Sequence, residues 1–498
     1  VKQLERILYQ AANNPQTVAD LVSKRIAAET EQTTKLYGYQ FMVDGDSVSP
    51  NFLDNRLSSS NDLEERLQVW RASKEVGKEL KSGLANLQKL RNATVEDLGY
   101  NNYFHYQVSD YGMSTEEMIN LTDQLIKDVW PLYRELHTFA RYELAKKYGV
   151  NEVPQMIPAH WLPNRWGQDW SAMIEVEGLN LDLALQDKEA EWIIKKGEDF
   201  YRSLGFEALP ESFYSKSSLY PFPSDSSVKK NTHASAWHMD LKHDVRSLMS
   251  VEANSSWWET VHHELGHVYY FMAYTNDSVP PLLREGANRA YHEAVGSLIG
   301  LASMQEPYLK GQGLIAPEAN TDKIQSLLKE ALNFVVFIPF SAGTMTQFEK
   351  ALYMERIPEN RYNETWWKLV NKYQGIEAPE KRGEEFCDAA TKTHINDDPA
   401  QYYDYALSYV LLFQLHKHIA TDILGQDPTA TNYYGNKEVG DFLNGILKQG
   451  ALGDWRALLK ESTGEELNAK AMLNYFQPLM DWLKEQNKGR EHSLPQQP

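Results

Sequence analysis

The segment WWETVHHELGHVYYFMAYTN, residues 257–276, carries three histidines and two glutamates in an otherwise apolar stretch. His263 and His267 are four residues apart, so on a helix their side chains project from one face about one turn apart. Two imidazoles at this spacing can bind one zinc ion, and Glu264 is offset enough to miss the metal but to reach a water molecule beside it. Chance occurrence of this short pattern is the alternative. Burying these groups on an apolar helix would, however, be costly unless they were paired or bound to metal.

A catalytic zinc site needs a third protein ligand, and two downstream carboxylates are candidates. Glu285 lies beside a glycine in LLREGANR, which is typical of a loop. Glu293 lies in RAYHEAVGSLIGLASM, where the small residues Ser297 and Gly300 would let a second amphipathic helix pack against the first. We therefore favour Glu293 over Glu285. Two histidines and one glutamate leave a fourth position open, which is the catalytic arrangement rather than the structural one.

The remaining chain predicts a helical scaffold for this site. Ser114, followed by Glu117, has the pattern of a capping box at the start of a helix. Few segments alternate with period two, and the best strand candidates are 232–237 and 245–253. Helical spacing of apolar residues recurs in segments 61–91, 115–148, 181–204, 319–338, 402–424 and 466–487. We expect a mostly α fold with a minor β-sheet.

Composition narrows the class of protein. A length of 498 residues exceeds what one hydrophobic core supports, so we expect two lobes. A formal charge of -19, from 50 basic and 69 acidic residues, argues against nucleic acid and anionic membranes as partners. No apolar run approaches the roughly 20 residues of a membrane span. Cys387 is the single cysteine, which excludes an intrachain disulfide. The chain begins at Val1, so we expect a removed signal peptide and a periplasmic or secreted protein, with a cytoplasmic location as the alternative.

The zinc pattern is accompanied by further stretches that together resemble one family. HHELGH followed by LLREGANRAYHEAVGS resembles the angiotensin-converting-enzyme family of zinc dipeptidyl carboxypeptidases, which are gluzincins. The likeness covers all but about the first 60 residues. The other matching stretches, in chain order, are PAHWLPNRWGQDWS (158–171), HASAW (233–237), FIPFS (337–341), WWKLVNKYQG (366–375), KTHI (392–395) and AMLNYFQPLMDWL (471–483).

The resemblance implies a fold. The family fold is a large, mostly helical ellipsoid of two subdomains around a deep central cleft. Residues 1–498 would then form a single peptidase domain with two intertwined lobes, and residues 1–90 would form a helical lid. We expect a monomer. The cysteines that flank HASAW in animal members are absent here, which suggests a bacterial source.

The resemblance also assigns the catalytic roles. Zinc would be held by His263, His267 and Glu293. Glu264 would act as general base on the attacking water and then as general acid to the leaving amine. Tyr405 and His394 match the groups that stabilise the oxyanion of the tetrahedral intermediate.

Substrate contacts follow from the same comparison. Lys392, Gln168 and Tyr402 would grip the free C-terminal carboxylate of an oligopeptide. Gln401 competes with Tyr402, because the spacing from Lys392 is one residue longer than in the family. In a related monocarboxypeptidase an arginine stands at the position of Gln168, so glutamine predicts release of a dipeptide. His233 and the backbone of Ala234 and Ala236 would align the peptide as an added strand.

Two alternatives and two departures accompany this prediction. A zinc endopeptidase of the related helical type is one alternative, although it would not need the Lys392–Gln168 pair. A non-catalytic peptide-binding homologue is the other, although it would be expected to lose Glu264 or a zinc ligand. The family's aspartate four residues after the ligand glutamate is Ser297 here. The arginines that bind activating chloride in animal members are replaced by Val370 and Asp404.

Overall fold

The protein is built almost entirely from helices. The computed structural model describes residues 1–222, 230 and 233–498. Helices account for 64% of the chain and strands for 4%. This confirms the prediction of a mostly α fold with only small sheets.

The described residues form two compact units, and each unit is assembled from three separate stretches of chain. Unit 1 contains Val1–Arg6, Val176–Asp322 and Leu407–Tyr475. Unit 2 contains Ile7–Glu175, Lys323–Ala406 and Phe476–Pro498. The single peptidase domain, the central cleft and the lid over residues 1–90 remain predictions.

Unit 1 contains the segment with the zinc pattern. We call Ser255–Tyr274 the histidine helix and Arg289–Met304 the glutamate helix. An antiparallel hairpin pairs Ser235–His238 with Val245–Leu248, and Ala236 lies opposite Ser247. The other α-helices that lie wholly in unit 1 are Leu181–Leu185, Ala190–Leu204, Glu211–Lys216, Glu306–Gly311, Lys437–Leu447, Trp455–Thr463 and Lys470–Tyr475.

Unit 2 is organised around two long helices, Leu63–Glu96 and Thr115–Lys147. Its strands form two short pairs. Phe41–Val43 pairs with Asp46–Val48 over three residues, and Ile157–Pro158 pairs with Ile376–Glu377 over two. The other α-helices that lie wholly in unit 2 are Ala19–Gly38, Pro50–Ser59, Tyr103–Ser109, Lys323–Ile338, Thr346–Tyr353, Tyr362–Gln374, Thr393–Asp397 and Gln477–Gln486. Helices Lys2–Asn13 and Tyr403–Lys417 contain residues of both units.

Several predicted elements are observed, and the predicted N-terminal cap of one helix is seen as hydrogen bonds. Ser114 and Glu117 form the expected capping box at the start of Thr115–Lys147. The strand predicted over 245–253 is shorter, at Val245–Leu248. The strand predicted over 232–237 is observed from Ser235, and residue 232 lies outside the described residues.

Two segments predicted as single helices are broken. The segment 181–204 contains two helices, Leu181–Leu185 and Ala190–Leu204, separated by the polar residues 186–189. The segment 466–487 breaks at Phe476. Pro478 has no backbone N–H and is tolerated only in the first turn of a helix, so a new helix begins there.

One segment of unit 2 has the length and composition of a membrane span, which the sequence analysis did not anticipate. Residues Lys323–Tyr353 form a helical run of 31 residues, including a π-helical stretch at Pro339–Met345. Within the most apolar part of this run, 89% is buried inside the protein. Burial on all sides is what the core helix of a large unit shows.

Helix Leu63–Glu96 also buries an unusual cation. Lys74 is 2% exposed, and its Nζ has no hydrogen-bond or ion-pair partner among the described residues. The amine lies 5.6 Å from the ring centroid of Trp70 and 5.4 Å from that of Trp166. Burial lowers the pKa of Lys74 to about 7, and the attraction of Asp388 does not offset this. A buried ammonium without a carboxylate partner destabilises the folded state.

We therefore expect Lys74→Met to stabilise the protein in a pH-dependent way. The gain in free energy of unfolding should be about 1–3 kcal/mol at pH 6, where the folded wild type must hold a charged amine. Between pH 7 and 10 the unfolded chain binds the proton more tightly than the folded one, so wild-type stability rises and the gain shrinks. Urea unfolding at pH 6 and pH 9 measures this, with the exposed Lys89→Met on the same helix as control. Equal gains at both pH values would contradict the prediction.

Candidate active site

Asparagine caps fix where the histidine helix and the glutamate helix begin. The Asn254 side chain accepts the N–H of Trp257, and the Asn288 side chain accepts the N–H of Tyr291. An asparagine at this position satisfies a backbone donor that the helix itself leaves unpaired. The caps thereby set which residues of each helix face the neighbouring helix.

Two glycines allow these helices to approach closely. A Cβ on Gly266 would lie 2.8 Å from the Cα of Gly296, and a Cβ on Gly296 would lie 3.0 Å from the ring of His263. Both distances are shorter than ordinary contacts between carbon atoms. The absence of side chains at both positions therefore brings the ligand candidates of the two helices together.

The three predicted ligands lie within reach of one ion. Nε2 of His263 is 3.2 Å from Nε2 of His267 and 3.5 Å from Oε2 of Glu293. The distance from His267 Nε2 to Glu293 Oε2 is 4.0 Å. Glu285, the alternative ligand, instead forms an ion pair with Arg6. The structure therefore brings Glu293, and not Glu285, to the histidine pair.

The electrostatics of this cluster follow from its burial. Burial lowers the pKa of His267 to about 4. Burial would raise the pKa of Glu293, but the hydrogen bond with His263 and the charges of His267 and His263 lower it well below its usual range. Burial would lower the pKa of His263, but its hydrogen bond with Glu293 and the charges of Glu264 and Glu293 raise it. The cluster therefore favours a neutral His267 beside an ionised Glu293, and a divalent metal would compete with the proton of His263.

Glu264 is buried beside the cluster with one oxygen unpaired. The residue is 6% exposed, and its Oε2 has no hydrogen-bond donor among the described residues. Burial raises the pKa of Glu264 to about 7, with the charge of Glu293 acting in the same direction. An unpaired carboxylate oxygen in a buried position is suited to bind a polar ligand or water.

Outer contacts orient the two histidines. Nδ1 of His263 is 3.4 Å from Oγ of Ser297, and Nδ1 of His267 is 3.2 Å from Nδ1 of His292. Such partners fix the ring orientation of metal-binding histidines. His262 points elsewhere, with Nδ1 2.7 Å from the carbonyl oxygen of Trp258.

The hairpin of unit 1 presents an open edge. His238 stacks on Phe271 of the histidine helix, with ring centroids 5.3 Å apart. Strand Val245–Leu248 is bordered on its other side by Ser218, whereas strand Ser235–His238 has no second neighbour among the described residues. Ala236 lies on this free edge, and His233 and Ala234 come directly before it. An edge of this kind can accept an added strand.

The predicted carboxylate-binding residues come together in unit 2. Lys392 is 5% exposed, and its Nζ donates to Oε1 of Gln168 over 2.8 Å. The same amine lies 4.4 Å from the ring centroid of Trp166 and 5.3 Å from that of Tyr402. Burial and the nearby Arg165 lower the pKa of Lys392 to about 7. No carboxylate of the described residues lies within ion-pair distance of Lys392, so the site lacks a built-in counter-charge.

The two predicted oxyanion residues are neighbours of this lysine site. Nε2 of His394 is 3.2 Å from the hydroxyl oxygen of Tyr405. The ring of Tyr402 packs edge-on against His394 at 5.0 Å and lies 4.9 Å from Tyr405. Gln401, the competitor of Tyr402, instead donates to Oδ1 of Asp398. Tyr402 is thus the member of this pair that lies beside Lys392.

Comparisons with known proteins agree on one family. The family model described as angiotensin-converting enzyme, Peptidase_M2, matches residues 16–494. The chain belongs to the angiotensin-converting enzyme family of peptidases. The match begins well before residue 60, so the likeness is longer than the sequence stretches alone indicated.

The sequence identity to relatives within the family is about one third. The chain is 32% identical to an angiotensin-converting enzyme-related protein of Drosophila melanogaster, covering 87% of this chain and 71% of the relative. It is 30% identical to the angiotensin-converting enzyme of Haematobia irritans exigua, covering 88% and 74%. Against the angiotensin-converting enzyme of Rattus norvegicus the identity is 33%, and the chain spans 89% of its own length but 34% of the rat protein.

Sequence reasoning missed two residues that support the site in this family member. The indole of Trp166 faces the Lys392 amine, and its Nε1 donates to Thr391. Ser341, in the π-helical stretch, donates to the carbonyl oxygen of Tyr402 and accepts the N–H of Ala406. Both residues lie in stretches already recognised, NRWGQDW and FIPFS, but their roles depend on contacts that spacing does not show.

The close helix contact yields a prediction for Gly266. Gly266→Ala should lower the free energy of unfolding by about 1–3 kcal/mol or more, because its Cβ meets backbone atoms that cannot rotate away. Thermal unfolding measures the loss.

Gly300→Ala is the matched control. Its Cβ would lie 3.4 Å from the flexible Cγ of Glu259, an ordinary contact, and alanine is the better helix former. We expect no loss of stability in this variant. A stable Gly266→Ala protein would show that the helices can separate freely.

Proposed function

We propose that this peptidase is a zinc-dependent peptidyl-dipeptidase that releases C-terminal dipeptides from oligopeptides. The observation that carries the proposal is the buried Lys392–Gln168 pair, a cationic site that no carboxylate of the described residues neutralises. A peptidase that cleaves next to the C-terminus needs such a site to hold the free carboxylate of its substrate, whereas an endopeptidase does not.

The donor set of unit 1 fits zinc. A tetrahedral ion with ligands at about 2.0–2.1 Å has ligand atoms about 3.3 Å apart, and the distances among His263, His267 and Glu293 run from 3.2 to 4.0 Å. No cysteine accompanies the set, which favours a catalytic rather than a structural site. When bound, zinc would supply Lewis acidity toward the scissile carbonyl and lower the pKa of water.

The chain's own residues then divide the proton transfers and charge stabilisation. Glu264, with its unpaired oxygen, accepts the proton of the attacking water and passes it to the leaving amine. Tyr405 and His394 donate hydrogen bonds to the oxyanion that develops on the former carbonyl oxygen. The backbone of Ala234 and Ala236, together with His233, aligns the peptide along the open edge of the hairpin.

Gln168 sets the number of residues that leave. Its side chain is neutral, and its Oε1 accepts from Lys392, so its Nε2 can donate to the terminal carboxylate together with Lys392 and the Tyr402 hydroxyl. A longer, charged arginine at this position would meet the carboxylate earlier and shorten the site. We therefore expect a dipeptide as product.

The first test is the identity of the products. An N-terminally blocked peptide with a free C-terminus should lose a dipeptide, and chelation of zinc should abolish the reaction. Amidation of the C-terminus should lower kcat/KM strongly, and Lys392→Met should lower it about a hundredfold for the free peptide, because a buried charge contact is lost. Mass spectrometry of the products measures both effects.

Other outcomes would favour other activities. Release of single residues would show that Gln168 does not set the length of the site. Internal cleavage of the amidated peptide would indicate the endopeptidase. A zinc-loaded protein that binds peptide without cleaving it would indicate the non-catalytic homologue. The isosteric Glu264→Gln variant, expected to lose about 10²–10⁴-fold in rate, separates catalysis from contamination by another peptidase.

A second prediction concerns anions. Asp404 is fully buried and accepts a hydrogen bond of 2.6 Å from the hydroxyl of Tyr111, and Val370 is 3% exposed. The carboxylate of Asp404 would repel chloride, and the aliphatic side chain of Val370 offers no charge or hydrogen-bond donor to bind it. Activity at constant ionic strength should therefore change less than about twofold when chloride replaces acetate. A tenfold increase with chloride would contradict this.

A further inference from the structure

An N-terminal helix of unit 2 contacts the chain segment that carries Lys392. We call residues 390–397 the lysine turn; it contains Lys392 and the short helix Thr393–Asp397. Gln32, on helix Ala19–Gly38, is 1% exposed, and Asn396, in the lysine turn, is fully buried. Nε2 of Gln32 donates to Oδ1 of Asn396 over 2.9 Å.

The same amide connects a third element. Nε2 of Gln32 also donates to the carbonyl oxygen of Leu80 over 2.9 Å, in the middle of helix Leu63–Glu96. Both amide hydrogens of Gln32 are thus used, and each goes to a different element. A buried amide with this arrangement orders its acceptors, because an unpaired buried acceptor is costly.

Asn396 transmits this contact to the backbone of Lys392. Its Nδ2 donates to the carbonyl oxygen of Lys392 over 3.0 Å and to that of Ala390 over 2.8 Å. Two side-chain amides therefore form a continuous chain of hydrogen bonds from Leu80 to Lys392. Neither amide carries a charge, so its effect does not depend on pH.

Arg91 and Tyr37 also contact the lysine turn, but neither bonds the side chain of Asn396. Arg91 of helix Leu63–Glu96 donates to the carbonyl oxygen of Asn396, but it does not reach the Asn396 side chain. Tyr37, also on helix Ala19–Gly38, bonds Asp397 at an exposed position, where water can replace it. Among the described residues, the buried side-chain hydrogen bond between helix Ala19–Gly38 and the lysine turn is that of the Gln32 amide.

A glycine makes room for this link. A Cβ on Gly83, in helix Leu63–Glu96, would collide with Oε1 of Gln32. Glycine inside a helix is otherwise unfavourable by about 1 kcal/mol relative to alanine. Gly83 stands where the Gln32 amide lies against the backbone of helix Leu63–Glu96, so a glycine at this position leaves space for that amide.

We propose that Gln32 is a positioning residue for the substrate carboxylate: through Asn396 it holds the Lys392 backbone, so helix Ala19–Gly38 is part of the carboxylate site. The proposal rests on the proposed role of Lys392. Without the link, the Asn396 side chain loses its buried donor, and the Lys392 backbone is held less firmly beside Gln168.

The test uses the full chain loaded with zinc. Gln32→Met keeps the length of the side chain and removes both donors. We expect the inhibition constant of a free dipeptide product, which senses the carboxylate site without chemistry, to rise about tenfold. KM for a blocked peptide should rise similarly, while zinc content stays at the wild-type value, because the metal ligands lie on other elements.

A second variant displaces Gln32 without altering it. Gly83→Ala should produce the same rise in the inhibition constant with a smaller loss of thermal midpoint than Gln32→Met, because the helix preference of alanine offsets part of the cost of displacing the Gln32 amide. This protects the test if Gln32→Met folds poorly. Thr33→Val is the control: the Thr33 hydroxyl bonds only its own helix, to the carbonyl oxygens of Glu29 and Thr30, so its inhibition constant should not change.

The outcomes separate the two proposals. If wild type binds the free dipeptide and its C-terminal amide equally, the carboxylate site itself is wrong, whatever Gln32 does. If wild type prefers the free acid and both Gln32→Met and Gly83→Ala keep that affinity, the positioning role is overturned. A variant that loses affinity for free acid and amide alike would also overturn it, because a general distortion would explain the loss.

Discussion

The close contact between the histidine helix and the glutamate helix is the constraint on which the candidate metal site depends. Imidazole and carboxylate side chains are short, so three donor atoms from two helices can meet only if the helix backbones nearly touch. Gly266 and Gly296 provide this approach, and the asparagine caps fix the register along it. Burying the ionised carboxylate of Glu293 is unfavourable, but its hydrogen bond with His263 and the attraction of the two histidines offset this cost.

In unit 2, by contrast, the buried charged group is a cation that has no oppositely charged partner among the described residues. Lys392 is held away from water against aromatic rings and an amide oxygen, and within the part of the chain that the structure describes no carboxylate pairs with it. A site that is complete in itself would gain little from a ligand. Here the missing counter-charge is what a peptide's terminal carboxylate supplies, so part of the unfavourable burial is relieved only when the correct chemical group is present.

Much of this could be read from the sequence, and the limits have physical causes. Helices with strong apolar spacing and an explicit cap, such as Thr115–Lys147, were predicted because local interactions decide them. The break at Phe476 was missed although Pro478 signals it, because periodicity continues across the proline. Glu293 could be favoured from small residues on its helix. The contacts of Trp166, Ser341 and Gln32 join positions far apart in the chain, and one sequence carries no record of such pairs.

The make-up of each unit from three separate stretches has a consequence for synthesis on the ribosome. When residue 322 has been made, all the metal-binding candidates exist, but the Leu407–Tyr475 stretch of unit 1 does not. Unit 2 in turn waits for residues after Phe476. Since nascent chains grow at about 5–20 residues per second, the apolar faces that these late stretches cover stay open for seconds. This chain should therefore depend on chaperones more than a protein of equal length whose units are contiguous.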